Sequence, residues 1–422
     1  MKRLEINLFP IKSPGISSAK LWIRDGSRAD PIGKKGIHQL LCSLFSRGCG
    51  PYSNKQLAEI IEGNGASFRS EAYEDGLLLS LKCISNNLLD LLPLIGWMIY
   101  EPHIDKAQLD LEKELSIQSL NRQKENPFHI AFDSWRHLAY EGEGYEYDAL
   151  GSIDDIRSIS SEDILPLSQG IKSRGKVLVI GGSIPSNFDE EFNKIEPFTY
   201  LKESNIHPID INSSECEYQR VQNQKDRVVF KYENTKQVVI LLGKPTVPHG
   251  HNDDLALRLL CCYLGCGMSC LLFRTLREKY GVAYEVGAYH PARERNSPFL
   301  LHAATSEEKA SLTLNLLKEC WSRVVEEELT IAELELVKTK YKGQIAHSFE
   351  SISQRTERQA HLRGLNLPYI HDELTLNRLN SINSRDIKEA SQRHLQKPFL
   401  SLCGPRVAIE KLSGQWKESL KD

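Results

Sequence analysis

Residues 264–288 read LGCGMSCLLFRTLREKYGVAYEVGA, and three structural signals follow one another in that stretch. Gly265 and Gly267 bracket a single residue, a spacing that predicts a turn which side chains with a Cβ would resist. A helical segment carrying Leu276, Arg277, Glu278 and Lys279 comes next, and Gly281, Val282, Ala283 and Tyr284 then lead into a strand. Just upstream, residues 255–273 carry Arg258 as their one charge and are about long enough to span a bilayer. The two glycines and the charged LREKYG run that follows argue instead for a buried helix ending in a turn.

Working outward, residues 227–230 and 238–242 read as strands, 255–263 as a helix, 282–288 and 299–303 as strands, and two long helical patterns follow. The first half has the same order. RLEINLFPI and SAKLWIRDG alternate as strands, a helix covers 36–46, and another covers 55–63. SFRSEAY and GLLLSLKCI then form a hairpin, helical patterns run over 86–99 and 106–126, and KVLVI at 176–180 is a strand. Residues 183–219 are rich in Asn, Ser, Pro and Glu with weak periodicity, as a connection between domains would be.

Local sequence repeats as well. Leu40, Leu41, Cys42 and Gly48 recur at one constant offset as Leu259, Leu260, Cys261 and Gly267. Ala107, Leu109, Leu111 and Lys113 recur at a slightly larger constant offset as Ala332, Leu334, Leu336 and Lys338. The expected architecture is therefore α+β, with two duplicated domains of mainly antiparallel sheet packed with helices, over 1–196 and 219–422, joined by a linker at 197–218.

Composition narrows the function classes. The chain of 422 residues is 40% apolar and 26% charged, enough to bury a substantial core. Its 53 Lys and Arg against 56 Asp and Glu leave a formal charge of −3, which supplies no broad basic field for nucleic acid. Glu5, Asn7 and Pro10 interrupt the apolar run at the N-terminus, so a first strand is expected there rather than an export signal. Ten cysteines in that setting point to free thiols in a reducing, cytoplasmic location.

The 264–288 stretch closely resembles the C-terminal domains of the pitrilysin and mitochondrial-processing-peptidase family of zinc peptidases, which carry LGxGxSSRLFxxLREKxGLAYxV. The resemblance extends to the duplicated domains and so covers nearly the whole chain, and it implies half of a clam-like chamber. The active domains of that family carry an inverted zinc motif, H-x-x-E-H, within GxxHxxEHxxFxG. Here Gly36 and Gly48 preserve the frame, but Gln39 and Ser43 stand at the two His positions and Cys42 at the Glu position. The family's third ligand, a Glu eight residues before the Pro of an Asn-Pro pair, falls at Ser119, counting from Pro127. The separation of Ser119 from Ser43 also equals the family's own spacing from second His to third ligand, so the two counts agree. Gln and Ser are poor zinc ligands, and a thiol at position 42 provides no carboxylate base, so no metal or catalysis in cis is expected. The substrate-pairing Asn-Ala-x-Thr of the family corresponds to Arg69, Ser70 and Ala72, a further departure. His38 and Cys42 form an alternative i, i+4 pair for a soft metal, with His129 and His137 as loosely placed third ligands; a polar helix residue is the favoured reading of His38. Cys262, Cys266 and Cys270 recur every four residues without a Cys-x-x-Cys pair and read as core thiols beside a turn.

Arg277 and Tyr284, seven residues apart, are retained. In the family an Arg and a Tyr at this spacing reach substrate at the zinc centre, where both can hydrogen-bond a carbonyl on which charge develops. The resemblance therefore implies the substrate-binding subunit of a heterodimeric peptidase, with Arg277, Tyr284, Gly265 and Gly267 as substrate-contacting residues. Zinc is expected in a sister chain bearing the intact motif, peptides are the expected substrates, and neither a nucleic acid nor a membrane span is expected. An inert scaffold subunit and a peptide-binding clamp are the alternatives.

Overall fold

The computed structural model describes residues 4–12, 15–200 and 227–420. Its strands are β1 (Leu4–Pro10), β2 (Ile16–Ile23), the short β3 (Gly48–Cys49) and β4 (Tyr52–Ser53), β5 (Ser67–Ala72), β6 (Leu77–Ile84), β7 (Lys176–Gly182), β8 (Val228–Tyr232), β9 (Gln237–Pro245), β10 (Ala283–Tyr289), β11 (Pro298–Ser306) and β12 (Phe399–Gly404). One sheet runs β1-β7-β2-β6-β5 and the other β8-β12-β9-β11-β10. In each sheet the first pair is parallel and the other three are antiparallel. The two sheets thus share one topology strand for strand, and the fold is α+β with duplicated halves, as the repeated signals predicted.

The chain divides into two compact units: Met1–Asn121, Tyr147–Ile209 and Ala346–Tyr369 form one, and Arg122–Glu146, Asp210–Ile345 and Ile370–Asp422 the other. Two segments depart from the contiguous halves expected at 1–196 and 219–422. Helix Pro127–Ala139 belongs to the second unit and helix Ile352–Gly364 to the first. The starts and the ends of these two helices differ by the offset that separates Ala107 from Ala332, so each repeat gives its equivalent helix to the other repeat's sheet. The connection expected at 197–218 lies outside the described residues from 201 onward. Its first part is the helix Glu196–Thr199, whose Phe198 joins the first unit's core.

Two-sided burial accounts for the exchange. Alternate residues of the central strands, Ala19, Leu21 and Ile23 of β2, Leu77, Leu79 and Leu81 of β6, and Leu178 and Ile180 of β7, pack against helices Ile37–Leu44 and Leu88–Tyr100. The opposite face carries Trp22, Leu78, Val177 and Val179, which pack with Ala360 of helix Ile352–Gly364. The Trp22 ring lies 4.9 Å from His361 and 5.6 Å from Tyr73. Lys20 is on this face too, 2% exposed, and its ammonium donates to Glu357 Oε2 at 2.7 Å and Ser80 Oγ at 3.0 Å. In the second unit helix Pro127–Ala139 covers the corresponding face: Ala131 packs with Val239, Leu241, Ala304 and Cys403, and Ser401 Oγ donates to the Ala131 carbonyl at 2.7 Å.

Helix Ile37–Leu44 is fixed at its start by Gly36, at φ 99, where an added Cβ would lie 2.7 Å from the Leu150 carbonyl oxygen. Asp30 accepts from the Gly36 amide at 2.6 Å and faces His38 Nδ1 at 2.5 Å. His38 Nε2 is 3.5 Å from Asp25 Oδ1, whose other oxygen accepts from Arg174 Nε at 2.8 Å. Burial disfavours the imidazolium, but the two carboxylates outweigh it and raise the His38 pKa to about 9. Because that value exceeds the unfolded one, the stability it contributes is complete below about pH 6.5 and disappears as pH rises through about 9. Across that window thermal unfolding of His38→Asn should show less pH dependence than the parent, and at pH 6 the variant should be destabilised by about 3–5 kcal/mol because buried Asp30 loses the imidazolium and Asp25 is left with Arg174. Gly36→Ala should cost about 1–3 kcal/mol in denaturant unfolding, whereas Gly414→Ala should be neutral or stabilising by up to about 1 kcal/mol. Gly414 is exposed within helix Arg406–Glu418, and an added Cβ there meets nothing within 4 Å.

Candidate functional site

In the first unit the degenerate positions lie on two helices. Gln39 and Ser43 share one half-buried face of helix Ile37–Leu44, and Gln39 Nε2 donates to Ser43 Oγ at 3.3 Å. Cys42 points into the core at 1% exposure, where burial drives its thiol far above the ordinary range and keeps it neutral. Ser119 is exposed on helix Lys106–Lys124 and donates to its own helix at the Leu115 carbonyl, 3.0 Å away. The frame around these positions is intact. Gly36 starts the helix, and Gly48 sits at φ 126 where an added Cβ would be 2.6 Å from His103 Nδ1. Backbone geometry therefore requires the two glycines, and the side chains at the four positions, an amide, two hydroxyls and a buried neutral thiol, do not fit zinc.

The alternative pair does not come together, because His38 is committed to Asp25 and Asp30 while Cys42 belongs to the core cluster. His129 and His137 both lie on helix Pro127–Ala139 of the second unit, and His137 faces Glu146 at 3.3 Å. On the edge strand β5, Arg69 is held by Glu357 at 2.9 Å and Glu71 at 3.1 Å, and Ser70 Oγ donates to the Cys42 carbonyl at 2.8 Å. Both side chains are thus engaged within their own unit.

The retained residues occupy the other unit, and irregular backbone presents both. Helix Asp254–Gly265 runs to the predicted turn. Gly267 has φ 72, whereas Gly265 is required for another reason, since its Cβ would lie 2.3 Å from the Ala288 amide nitrogen of β10. Residues 273–279 then form a π-helical turn that carries Arg277, and the Val282 amide closes it on the Leu276 carbonyl at 2.8 Å. Arg277 is exposed, its guanidinium lies 5.0 Å from the centre of the Phe273 ring, and among the described residues it makes no ion pair with Glu278 or Glu285. Tyr284 is 64% exposed, so it does not pack beneath the sheet. It is the extra residue of a bulge in β10, because Ala283 opposes Thr305 and Glu285 opposes Ala304. β10 is an edge strand of its sheet. A guanidinium and a phenol free of buried partners beside an open strand edge can donate hydrogen bonds to an extended peptide.

One arrangement had no signal in the sequence. Among the described residues, His251, Asp253 and His394 are the group of metal-compatible side chains whose ligand atoms lie within 4.8 Å of one another. His394 and Asp253 are separated by 141 residues and meet only through the fold. Their geometry is that of an ion-pair network: His394 Nε2 is 2.7 Å from Asp253 Oδ2, and Arg393 donates to the same carboxylate at 2.9 and 3.1 Å. Among the described residues no helix is long and apolar enough to cross a membrane, and all nine described cysteines are free.

Comparison with known proteins identifies the family. Residues 12–152 match the model of the insulinase family, peptidase family M16, and residues 182–341 match the peptidase M16 inactive domain. The chain is 21% identical to the uncharacterized zinc protease YmxG of Bacillus subtilis strain 168, over 91% of this chain and 92% of that protein. It is 20% identical to the non-peptidase homolog YmxG of Helicobacter pylori, over 89% and 85%. Among solved structures, a peptidase M16 inactive domain from Pseudomonas fluorescens superposes with a TM-score of 0.83 at 20% identity, covering 95% of each chain. The positions that would hold zinc, the retained glycine frame and both family models lead to one conclusion: the chain belongs to peptidase family M16, as a catalytically degenerate member.

Proposed function

We propose that this protein is the non-metal-binding, substrate-binding subunit of a heterodimeric zinc peptidase, working in the cytoplasm with a sister chain that carries an intact H-x-x-E-H. The observation that carries the reading is the contrast between the two units. The zinc positions are filled by Gln39, Cys42, Ser43 and Ser119, while Arg277 and Tyr284 stay exposed on a π-helical turn and a strand bulge. Irregular backbone of both kinds is concentrated at functional sites because it re-aims a side chain away from the regular direction. In this reading the guanidinium of Arg277 and the phenol of Tyr284 hydrogen-bond the carbonyl groups of a bound peptide and stabilise charge developing on oxygen, while Gly265 and Gly267 shape the turn along which the peptide passes. Zinc and the general base belong to the partner. The name of the Helicobacter pylori homolog favours a second reading, a scaffold or peptide clamp without any part in hydrolysis.

Three measurements test the proposal, and the last two separate it from the scaffold or clamp reading. Purified alone, the chain should hydrolyse no fluorogenic peptide, with or without added Zn²⁺; zinc-dependent turnover by the isolated chain would overturn the assignment. Mild affinity capture from native cells followed by mass spectrometry should recover a near-stoichiometric sister chain with the intact motif. In the pair rebuilt from both chains, Arg277→Ala should lower turnover by roughly 10²-fold, the scale of a lost oxyanion donor. An unchanged rate would leave the scaffold or clamp reading in its place.

A further inference from the structure

Helix Asp254–Gly265 ends on a pair of thiols that the function proposed above does not use. Cys262 lies in its last turn at 3% exposure, and Cys266, the residue that ends the helix, is half-buried. The Cys266 amide still bonds the Cys262 carbonyl at 3.1 Å, but its own backbone has turned out of the helix to φ −96 and ψ 113. One side chain spans both sulfurs. Gln344, on helix Ile331–His347, accepts from Cys262 Sγ at 3.0 Å through Oε1 and donates to Cys266 Sγ at 3.0 Å through Nε2. One turn earlier on that helix, Lys340 Nζ donates to the Cys266 carbonyl at 2.9 Å and brings a positive charge to the same turn.

These neighbours act on the two sulfurs in opposite directions. The adjacent Cys262 thiol, then the Gln344 amide and the Lys340 cation, hold the Cys266 thiol below its ordinary value against the opposing effect of burial. The same contact with Cys266, together with burial, pushes Cys262 up. Burial raises the other seven described cysteines, so Cys266 is the one described thiol whose anion is favoured.

We propose that Cys262 and Cys266 form a dithiol that reduces hydroperoxides, with Cys266 as the attacking sulfur and Cys262 as the resolving one. The Cys266 thiolate attacks one oxygen of the peroxide O–O bond. That bond breaks, the second oxygen leaves as hydroxide or alkoxide and takes a proton from solvent, and Cys266 becomes a sulfenic acid. The Cys262 sulfur then attacks the Cys266 sulfur. A disulfide forms, the S–O bond breaks, and the hydroxyl departs as water with the Cys262 proton. The two thiols supply both electrons. Side chains one helical turn apart have Cβ atoms about 5–6 Å apart, and a disulfide needs about 3.5–4.5 Å, so closure requires the last turn to tighten by about 1–2 Å. Cys266 can move that far because it lies outside the helix and is followed by Gly267, around which an added Cβ would meet nothing within 4 Å.

The test uses the full-length chain, hydrogen peroxide as oxidant, and peptide mapping after the remaining thiols are blocked with iodoacetamide. A Cys262 to Cys266 disulfide, reversed by dithiothreitol, is the expected product. Cys262→Ser should stop the reaction at a sulfenic acid on Cys266 that dimedone traps, and Cys266→Ser should leave Cys262 as unreactive as Cys403. Without peroxide, alkylation of Cys266 should reach half its maximal rate at a pH below the ordinary thiol value of about 8.5, and Gln344→Leu should slow its alkylation at pH 7 several-fold. The proposal fails if peroxide leaves both sulfurs reduced, if Cys266 pairs with Cys261 or Cys270 instead, or if its alkylation midpoint is at or above that of an ordinary thiol. None of these outcomes depends on whether the sister chain exists.

Discussion

A lysine in the middle of a central strand sets the terms for the first unit. Lys20 is 2% exposed in β2, and its ammonium is satisfied by Glu357 and Ser80. Burial lowers its pKa, and the Glu357 carboxylate pulls the other way. An ammonium left buried without its carboxylate would cost several kcal/mol, so β2 can reach its native environment only when helix Ile352–Gly364 has arrived from the far part of the chain. Trp22 imposes the same condition by shape: its indole occupies the space where Gly76 and Gly364 approach, and added Cβ atoms would lie 2.3 and 2.5 Å from it. The reverse face of the sheet is therefore a lock for one particular helix, which couples distant parts of the chain into one folding unit.

The same logic explains why the degenerate region keeps its shape. Around Gln39, Cys42 and Ser43, the Gly36 conformation, the Asp30 and His38 contacts and the close fit of Gly48 against His103 all serve the fold. They remain under physical constraint whether or not metal binds. Gln39 and Ser43 are half-buried and Ser119 is exposed, so none of the three belongs to the core. Cys42 differs, since its side chain is a fully buried part of the core.

In the second unit the anchor is Asp254, buried at the start of helix Asp254–Gly265, which accepts from Arg258 Nε at 2.9 Å and faces His249 Nδ1 at 2.7 Å. Despite burial, the charge of Arg258 and the contacts with His249 and His290 hold its carboxyl well below the usual range. That anchored helix delivers Cys262, Cys266 and the glycine turn to the edge of the sheet. The π-helical turn and the bulge in β10 follow in sequence, so Arg277 and Tyr284 are carried on irregular backbone beyond the far end of a helix whose start is anchored by a buried charge.

Much of this was legible in the sequence. Period-two and helical patterns located the hairpin of β5 and β6 and the helix that precedes the glycine turn, and an apolar run of strand length located the strand at 176–180, because those signals are local to each element. Two segments of local similarity gave the duplication, which the matching strand orders bear out. The expectation that Gln39, Cys42, Ser43 and Ser119 stand where the resembling peptidases carry their zinc ligands and base also came from the sequence, because ligand chemistry belongs to residue type. Other features required the tertiary structure. Which sheet receives helix Pro127–Ala139 or Ile352–Gly364 depends on complementarity across a whole face, and an amphipathic pattern states only that a face must be covered. The bulge that turns Tyr284 outward is a mismatch in register between two strands and has no signature in either one alone. Residue type and spacing thus determined the repeats and the elements, while partners far apart in the chain, which only three-dimensional packing brings together, decided where Lys20 finds its counter-charge and how Gln344 bridges Cys262 and Cys266.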